Sequence, residues 1–355
     1  MAIPMRTTFR VRALVFAACI LSGLTAEAAR EVKFKEYPLE ITKGDRLVVS
    51  GVRGQVRLIP LGEPGGKSGS PVVRARKVTT DKLGESNALF ESISFQTRRE
   101  GSTVFVEVKG PDSRQTYITM AKPGAPELSF DIESPSTPAE IHMHSGNVVA
   151  NGWKSSVAVT LSEGKVLLSE GEGDVRVLLT RGELQLSKHK GGAELELHGG
   201  KTSVSQVQGD VRLYVFSGES SVQQLTGKLR YRGKAGSLSL NKVDGDFQFE
   251  NGRGGIAATA LNGAVRGSTE DGAINLQLVG ETDVSVETDD GSVTIKPPGG
   301  TGALLRLSSE DGLIQAPESI RVPRVTGPKS VVARLDGAPK GQIIVRAKRG
   351  VIRIR

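Results

Sequence analysis

The chain has 355 residues, 37% hydrophobic but only 4% aromatic, with 44 glycines, one cysteine and a formal net charge of +8. So little aromatic volume is thin for a thick globular core, and glycine this frequent without a collagen period must be spent on turns. The mild basic excess favours contact with anionic polysaccharide or lipid headgroups; nucleic acid is not expected, because basic and aromatic residues are not interleaved as a single-strand groove requires.

At the N-terminus, Arg6, Arg10 and Arg12 precede an apolar stretch at 13–24 and the small-residue site Ala26-Glu27-Ala28, which predicts a signal peptide over 1–28. The stretch falls short of the roughly 20 residues of a membrane span, and nothing later approaches that length. The mature protein is therefore expected outside the cytoplasm, in the periplasm or on the outer cell surface, with no transmembrane segment and a charge of +6. Cys19 lies inside the signal, so the mature chain carries no thiol, disulfide or cysteine metal ligand. Lipid attachment at Cys19 is the competing reading; the apolar residues Ile20, Leu21 and Leu24 beyond it favour cleavage after Ala28.

Residues 29–140 alternate apolar and polar in short runs, predicting strands at 32–34, 47–49, 56–59, 72–78, 93–96, 104–108 and 128–132. Between them, 61–70 reads as a loop by its Gly, Pro and Ser content, and 111–126 is looser still. This is an irregular β-rich part with loop insertions, continuous with the following section or capping it. Regularity starts after Ser134-Pro135-Ser136-Thr137-Pro138, and residues 141–355 read as a regular β-helix with an irregular C-terminal cap.

From Gly164 to Gly272 a glycine stands at every ninth residue, followed in most intervals by an apolar-x-apolar triplet such as Val175-Arg176-Val177 or Phe247-Gln248-Phe249. A fixed short period with alternating apolar residues is the mark of a solenoid whose units bury their apolar face only by stacking. The outward residue three places after each glycine sorts into two alternating sets. One runs Arg176, Glu194, Arg212, Arg230, Gln248, Arg266; the other runs Gln185, Ser203, Ser221, Ser239, Ala257, Asn275 and holds no charge. That alternation predicts two glycine intervals, about 18 residues, per coil and two walls of different chemistry. Arg212 and Arg230 then sit on adjacent rungs about 4.8 Å apart. Toward the C-terminus the spacing loosens at Gly280, Gly291 and Gly312, and Pro317, Pro323 and Pro328 mark an excursion. The last strands, 343–345 and 351–354, carry Arg346, Lys348, Arg349, Arg353 and Arg355, read as charges that guard an open sheet edge.

Four pieces stand in a fixed order: Ser50-Gly51-Val52-Arg53-Gly54-Gln55-Val56, then Leu128-Ser129-Phe130-Asp131-Ile132-Glu133-Ser134-Pro135 leading into Ser145-Gly146-Asn147-Val148, then the Gly-Asp-Val units at 173–175 and 209–211. In these the chain resembles a bacterial family known as putative adhesins, an exported domain of unknown function. The resemblance implies an all-β, right-handed, single-stranded parallel β-helix at the cell envelope, and it supplies no catalytic residues.

No catalytic or cofactor motif stands out. Asp174, Asp210 and Asp246 share one position after glycine and, at two coils or roughly 9.6 Å apart, come near the spacing of an inverting carboxylate pair. Turns also select Asp after Gly for local hydrogen bonds. His142 and His144 share a strand face, but His189 and His198 fall on opposite faces of the coil, short of a zinc ligand set, so solvated histidines and no metal are expected. Calcium would need carboxylates where the interior is apolar. Trp153 suits either a sugar platform or an apolar plug at the solenoid mouth, and the plug fits better. The combined expectation is a non-enzymatic exported scaffold without cofactors, adhesin-like, with Arg176, Arg212, Arg230 and Arg266 as a stripe for anionic polymers; those arginines also serve solubility. The rival is a carbohydrate-active β-helix lyase or hydrolase acting on acidic polysaccharide.

Overall fold

A computed structural model describes residues 30–62, 69–79, 92–109, 127–280, 283–300, 302–335 and 339–355; the segment 1–28 expected to be a signal peptide, with Cys19, lies outside the described residues. The strands form one continuous parallel β-helix, flanked by antiparallel strands on both walls at the N-terminal end and on one wall at the C-terminal end.

The N-terminal part supplies β1 (Arg30–Pro38), β2 (Arg46–Ser50), β3 (Arg53–Pro60), β4 (Val72–Thr79), β5 (Ser94–Glu100), β6 (Thr103–Lys109) and β7 (Glu127–Ser134), at the places where alternation predicts them. Their spatial order is not their chain order. β2 lies between β6 and the first half of β8 (Ala139–Asn151), parallel to both, and β3 lies likewise between β7 and the second half of β8. Beyond β6 runs β5, and beyond β7 run β4 and then β1, all antiparallel. Reversed strands of this kind blunt an edge that would otherwise template pairing with another chain. Buried Asp45 ties this end together: it accepts from the Thr42 amide at 2.7 Å and from Arg99 at 2.8 Å, and the Thr42 amide bond, ahead of the Arg99 pairing, lowers its pKa.

From β8 onward chain order and spatial order agree. β9 (Val157–Ser169), β10 (Val175–Lys190), β11 (Ala193–Gln208), β12 (Val211–Thr226) and β13 (Leu229–Asp244) each pair in parallel with the next, residue i against i+18. The same register continues through β14 (Phe247–Arg253), β15 (Ile256–Asn262), β16 (Val265–Asp271) and β17 (Ile274–Leu278), which split each coil into two strands. The 18-residue coil is thus observed, with Arg212 directly opposite Arg230.

The glycine period has a steric cause. Gly164, Gly182 and Gly200 have φ of 139°, 143° and 128°, and a Cβ on any of them would stand 1.8–1.9 Å from the carbonyl oxygen of the glycine one coil before. Gly191, Gly209, Gly227, Gly245 and Gly263 form a second column with the corresponding distance at 2.2–2.4 Å. At both corners backbones therefore meet where no side chain fits. The two corners differ all the same. Only the second carries a left-handed residue, at Glu170, Lys188, Gln206, Gln224, Lys242 and Ala260 with φ of 50–58°, followed in all but the first, where Gly171 stands, by one more inward side chain. The nine-residue sequence period thus hides an 18-residue structural one.

In β10 the buried positions are Val175, Val177, Leu179, Leu184, Leu186 and His189, and β11 and β12 repeat the pattern. Where a large ring enters a column, a glycine makes room. A Cβ on Gly233 would meet the Tyr231 hydroxyl at 2.5 Å, and one on Gly267 the Phe249 ring at 2.5 Å. Burial pushes the Tyr231 pKa up to about 12.

The C-terminal end corrects the sequence reading. β18 (Val284–Thr288), β19 (Val293–Lys296), β20 (Gly302–Ser309), β21 (Leu313–Gln315), β22 (Lys329–Arg334), β23 (Pro339–Ala347) and β24 (Val351–Ile354) stack so that β23 lies between β18 and β20, and β24 between β19 and β21. The last strands are inside the stack and guard no edge; the edge strands are antiparallel β22 on one wall and parallel β21 on the other. Their cations match an acidic row one coil below: Arg346 with Glu287 at 2.5 Å, Lys348 with Asp289 at 2.8 Å, and Arg349 with Asp290 at 2.5 and 2.6 Å.

Candidate functional site

The first half of each central coil turns three side chains outward, and stacking in register makes them three columns. β10 contributes Arg176, Leu178 and Thr180; β11 Glu194, Glu196 and His198; β12 Arg212, Tyr214 and Phe216; β13 Arg230, Arg232 and Lys234. β14 adds Gln248 and Glu250, and β16 adds Arg266.

All four arginines of the predicted stripe stand in one column, but they are not alike. Arg176 is bound to Glu194, Nη2 to Oε2 at 2.8 Å, and this hydrogen bond holds its pKa above the ordinary value. Exposed pairs of this kind are screened by solvent and contribute little to stability. Arg212 and Arg230 face each other across one rung, Arg266 stands two rungs further on, and none of the three has an ion-pair partner among the described residues. Glu194 interrupts the stripe between Arg176 and Arg212, leaving a cationic pair with an outlier.

Beside that pair lies a feature that counting at the third place after each glycine passes over. Phe216 is 54% exposed, whereas Trp153, Tyr231 and Phe249 inside the solenoid are at 2% or less. Lys234 on the next coil holds Nζ 4.7 Å from the Phe216 ring centroid, and the His198 ring on the previous coil is 6.5 Å away. A surface cation–π contact of this kind contributes about 0.5–1 kcal/mol. Tyr214, half-buried, shares the strand face, and Arg232 is paired with Glu250 at 2.7 Å. Together these side chains line an open groove of about 870 Å³ that runs on past Gly233 and Gly252. Tyr214 and Phe216 stand five and seven places after Gly209, and reading those places in every coil would have found them.

The aspartate column is structural. Asp174 Oδ1 accepts from the Gly192 amide at 3.2 Å, Asp210 Oδ1 from Lys228 at 2.9 Å and Asp246 Oδ1 from Ala264 at 3.3 Å. Each carboxylate thus caps the backbone one coil on. His189 departs from the solvated reading: it is 3% exposed, its Nε2 lies 2.7 Å from the Gly173 carbonyl oxygen, and burial lowers its pKa. His142 and His198 pair with Glu140 and Glu196. Among the described residues no three His, Cys, Asp or Glu side chains converge as a metal site. Trp153 is neither a platform nor a plug at the mouth; it fills the corner beside Gly171 and donates from Nε1 to the Thr137 carbonyl at 3.0 Å.

On the other wall, Ser203, Ser221 and Ser239 stand in register with Gln185, Ala257 and Asn275, as the alternation predicts. No described helix is long and apolar enough to cross a membrane.

Comparison with known proteins finds no match among curated ones. Among solved structures, the chain is similar to a putative cell adhesion protein from Clostridium sporogenes (12% identity, 91% of this chain and 98% of the other, TM-score 0.20). It is also similar to a putative adhesin from Bacteroides fragilis (12%, 92% and 98%, 0.25) and a putative lipid binding protein from Parabacteroides distasonis (13%, 76% and 97%, 0.28). A family model described as Toastrack DUF4097 matches residues 92–355, from just before β5 to the last residue. Spanning the whole stack of 18-residue coils and both reordered strands at its C-terminal end, that match places the chain in the Toastrack DUF4097 family.

Proposed function

We propose that the protein is a non-enzymatic, exported, adhesin-like scaffold of the bacterial envelope that holds anionic polymers along its arginine column. The observation that carries this reading is the face-to-face placement of Arg212 and Arg230 on neighbouring coils without an ion-pair partner among the described residues. Like charges directly opposite are destabilising. An anion between them relieves the repulsion, and guanidinium groups suit bidentate contact with carboxylate or phosphate. Export is supported by the basic, apolar and small-residue order of residues 1–28. The rival reading, polysaccharide cleavage, loses its best acids, because Asp174, Asp210 and Asp246 are occupied as backbone caps.

The test is co-sedimentation with polygalacturonate at low salt, together with an assay for reducing or unsaturated sugar products. Arg212→Gln with Arg230→Gln is expected to weaken retention about tenfold, the equivalent of two modest charge-assisted contacts, and the wild type is expected to give no turnover. Retention unchanged by the double substitution sinks the reading, and turnover at any enzyme concentration replaces it with the rival.

A further inference from the structure

Resting on that reading, we propose that the polymer is an acidic polysaccharide, recognised by sugar rings packed on Phe216 and Tyr214 while their carboxylates meet Arg212 and Arg230. Three observations support the assignment. First, the aromatic pair and the cationic pair share one wall: Arg212, Tyr214 and Phe216 project from β12, and Arg230 projects from β13 one rung on. Anion recognition alone has no use for an exposed phenylalanine, and a ring that serves only packing belongs inside, where Phe247 and Phe249 stack at 5.0 Å. Second, the groove beside the rings is open at its Tyr214–Phe216 end, where Arg232 and Lys234 line it, so a chain segment can seat there without an end being threaded; its far end, lined by Glu270, Glu287 and Asp289, repels an acidic polymer and leaves the Arg212–Arg230 side as the direction the chain takes. Third, Phe216 is 54% exposed, and the flexible Lys234 side chain lies over its ring at 4.7 Å, with the His198 ring 6.5 Å away. That ammonium can swing off the ring to meet an incoming carboxylate, exchanging one weak contact for a stronger one.

The chemistry is specific to a ligand with both an apolar ring face and an acid. A sugar presents its C–H face to the aromatic ring, and its hydroxyls reach exposed polar neighbours such as His198 and Glu196. A linear polyanion without rings satisfies the arginines but leaves Phe216 bare. Repetition along the axis, one rung per about 4.8 Å, allows successive sugars of one chain to meet successive coils.

The discriminating experiment compares polygalacturonate with polyglutamate, which offers carboxylates without sugar rings, for the full mature chain at fixed low salt. Phe216→Ala is expected to weaken polygalacturonate binding about tenfold, the size of a well-placed aromatic contact, and to leave polyglutamate within about twofold. Phe216→Tyr is expected to bind both polymers as the wild type does. An unchanged melting temperature in both variants, expected from the exposure of the side chain, separates lost binding from lost folding. Equal loss on both polymers, or no loss on polygalacturonate, overturns the sugar assignment. If the Arg212→Gln, Arg230→Gln variant also binds both polymers like wild type, the polymer reading itself fails, and the two failures are thus told apart.

Discussion

The central coils, β8 to β17, and the two ends share one cross-section but not one connectivity. In the centre every rung is followed in space by the next rung in sequence, 18 residues on. At the ends a segment from elsewhere in the chain is slipped between two rungs. β2 and β3 separate β6 and β7 from β8, and β23 and β24 separate β18 and β19 from β20 and β21, with partners such as Glu287 and Arg346 59 residues apart. A simple repeat can unravel from its end one unit at a time. Here the outermost coil packs on an inserted one from a distant part of the chain, so its docking depends on a contact that is not with its neighbour in sequence.

The largest effect expected from this difference follows removal of residues 339–355. In a sequence-ordered solenoid that deletion would fray one edge. Here it takes away the coil that pairs with β18 and β19 on one side and with β20 and β21 on the other. Residues 302–335 should open and be cleaved by a protease well over ten times faster, since their protection depends on local stability, while 139–271 stays resistant. Limited proteolysis followed by mass spectrometry reads this directly, and continued protection of 302–335 would show that the insertion carries no stability.

A second effect, smaller and confined to the centre, tests what the glycine period is for. Gly200→Ala places a Cβ 1.9 Å from the Gly182 carbonyl oxygen at a φ of 128°, and the backbone of two coils must shift to take it. A loss of about 4 kcal/mol is expected, at the upper end of single substitutions, seen as a lowered urea midpoint. Gly44→Ala, with nothing within 4 Å of its Cβ and no positive φ, should change the midpoint little. Equal effects from the two substitutions would mean that the columns tolerate side chains and that the period has another cause.

The contrast also explains what could be read before the structure. Periodicity reports neighbours only when the neighbour in space is the neighbour in sequence, so Gly164 to Gly272 revealed the coil length and the opposition of Arg212 and Arg230. The N-terminal strands and the last two of the C-terminal end were legible one by one from alternation, yet their spatial order was not, because no local pattern records that Val286 pairs with Val345. The same limit applies to the wall. The arginine column was found from its constant offset after glycine, whereas the groove at Phe216 comes from two other offsets combined over the coils from β11 to β18. The corner histidine was misread because the nine-residue period treats the two corners as equal, and only one of them turns an extra side chain inward.

That corner gives the mildest test of whether the central coils are interchangeable. His189 occupies the inward place that Val207, Leu225, Val243 and Leu261 fill on later coils. Burial lowers its pKa below the ordinary 6.5, so the folded state holds it neutral while the unfolded chain takes up a proton once the pH falls through that value. Stability from this residue is therefore complete above pH 6.5 and declines as the pH drops toward the lowered folded value, with a slope of at most about 1.4 kcal/mol per pH unit for one proton. His189→Val should fold at neutral pH, since its neighbours show that an aliphatic side chain fits, and should remove that part of the acid sensitivity. Melting temperatures of both proteins between pH 7.5 and 5, roughly spanning the ordinary histidine range, are the measurement. Parallel curves would show that His189 is charged inside the folded corner, and the equivalence of this coil with its neighbours would then stop at the backbone.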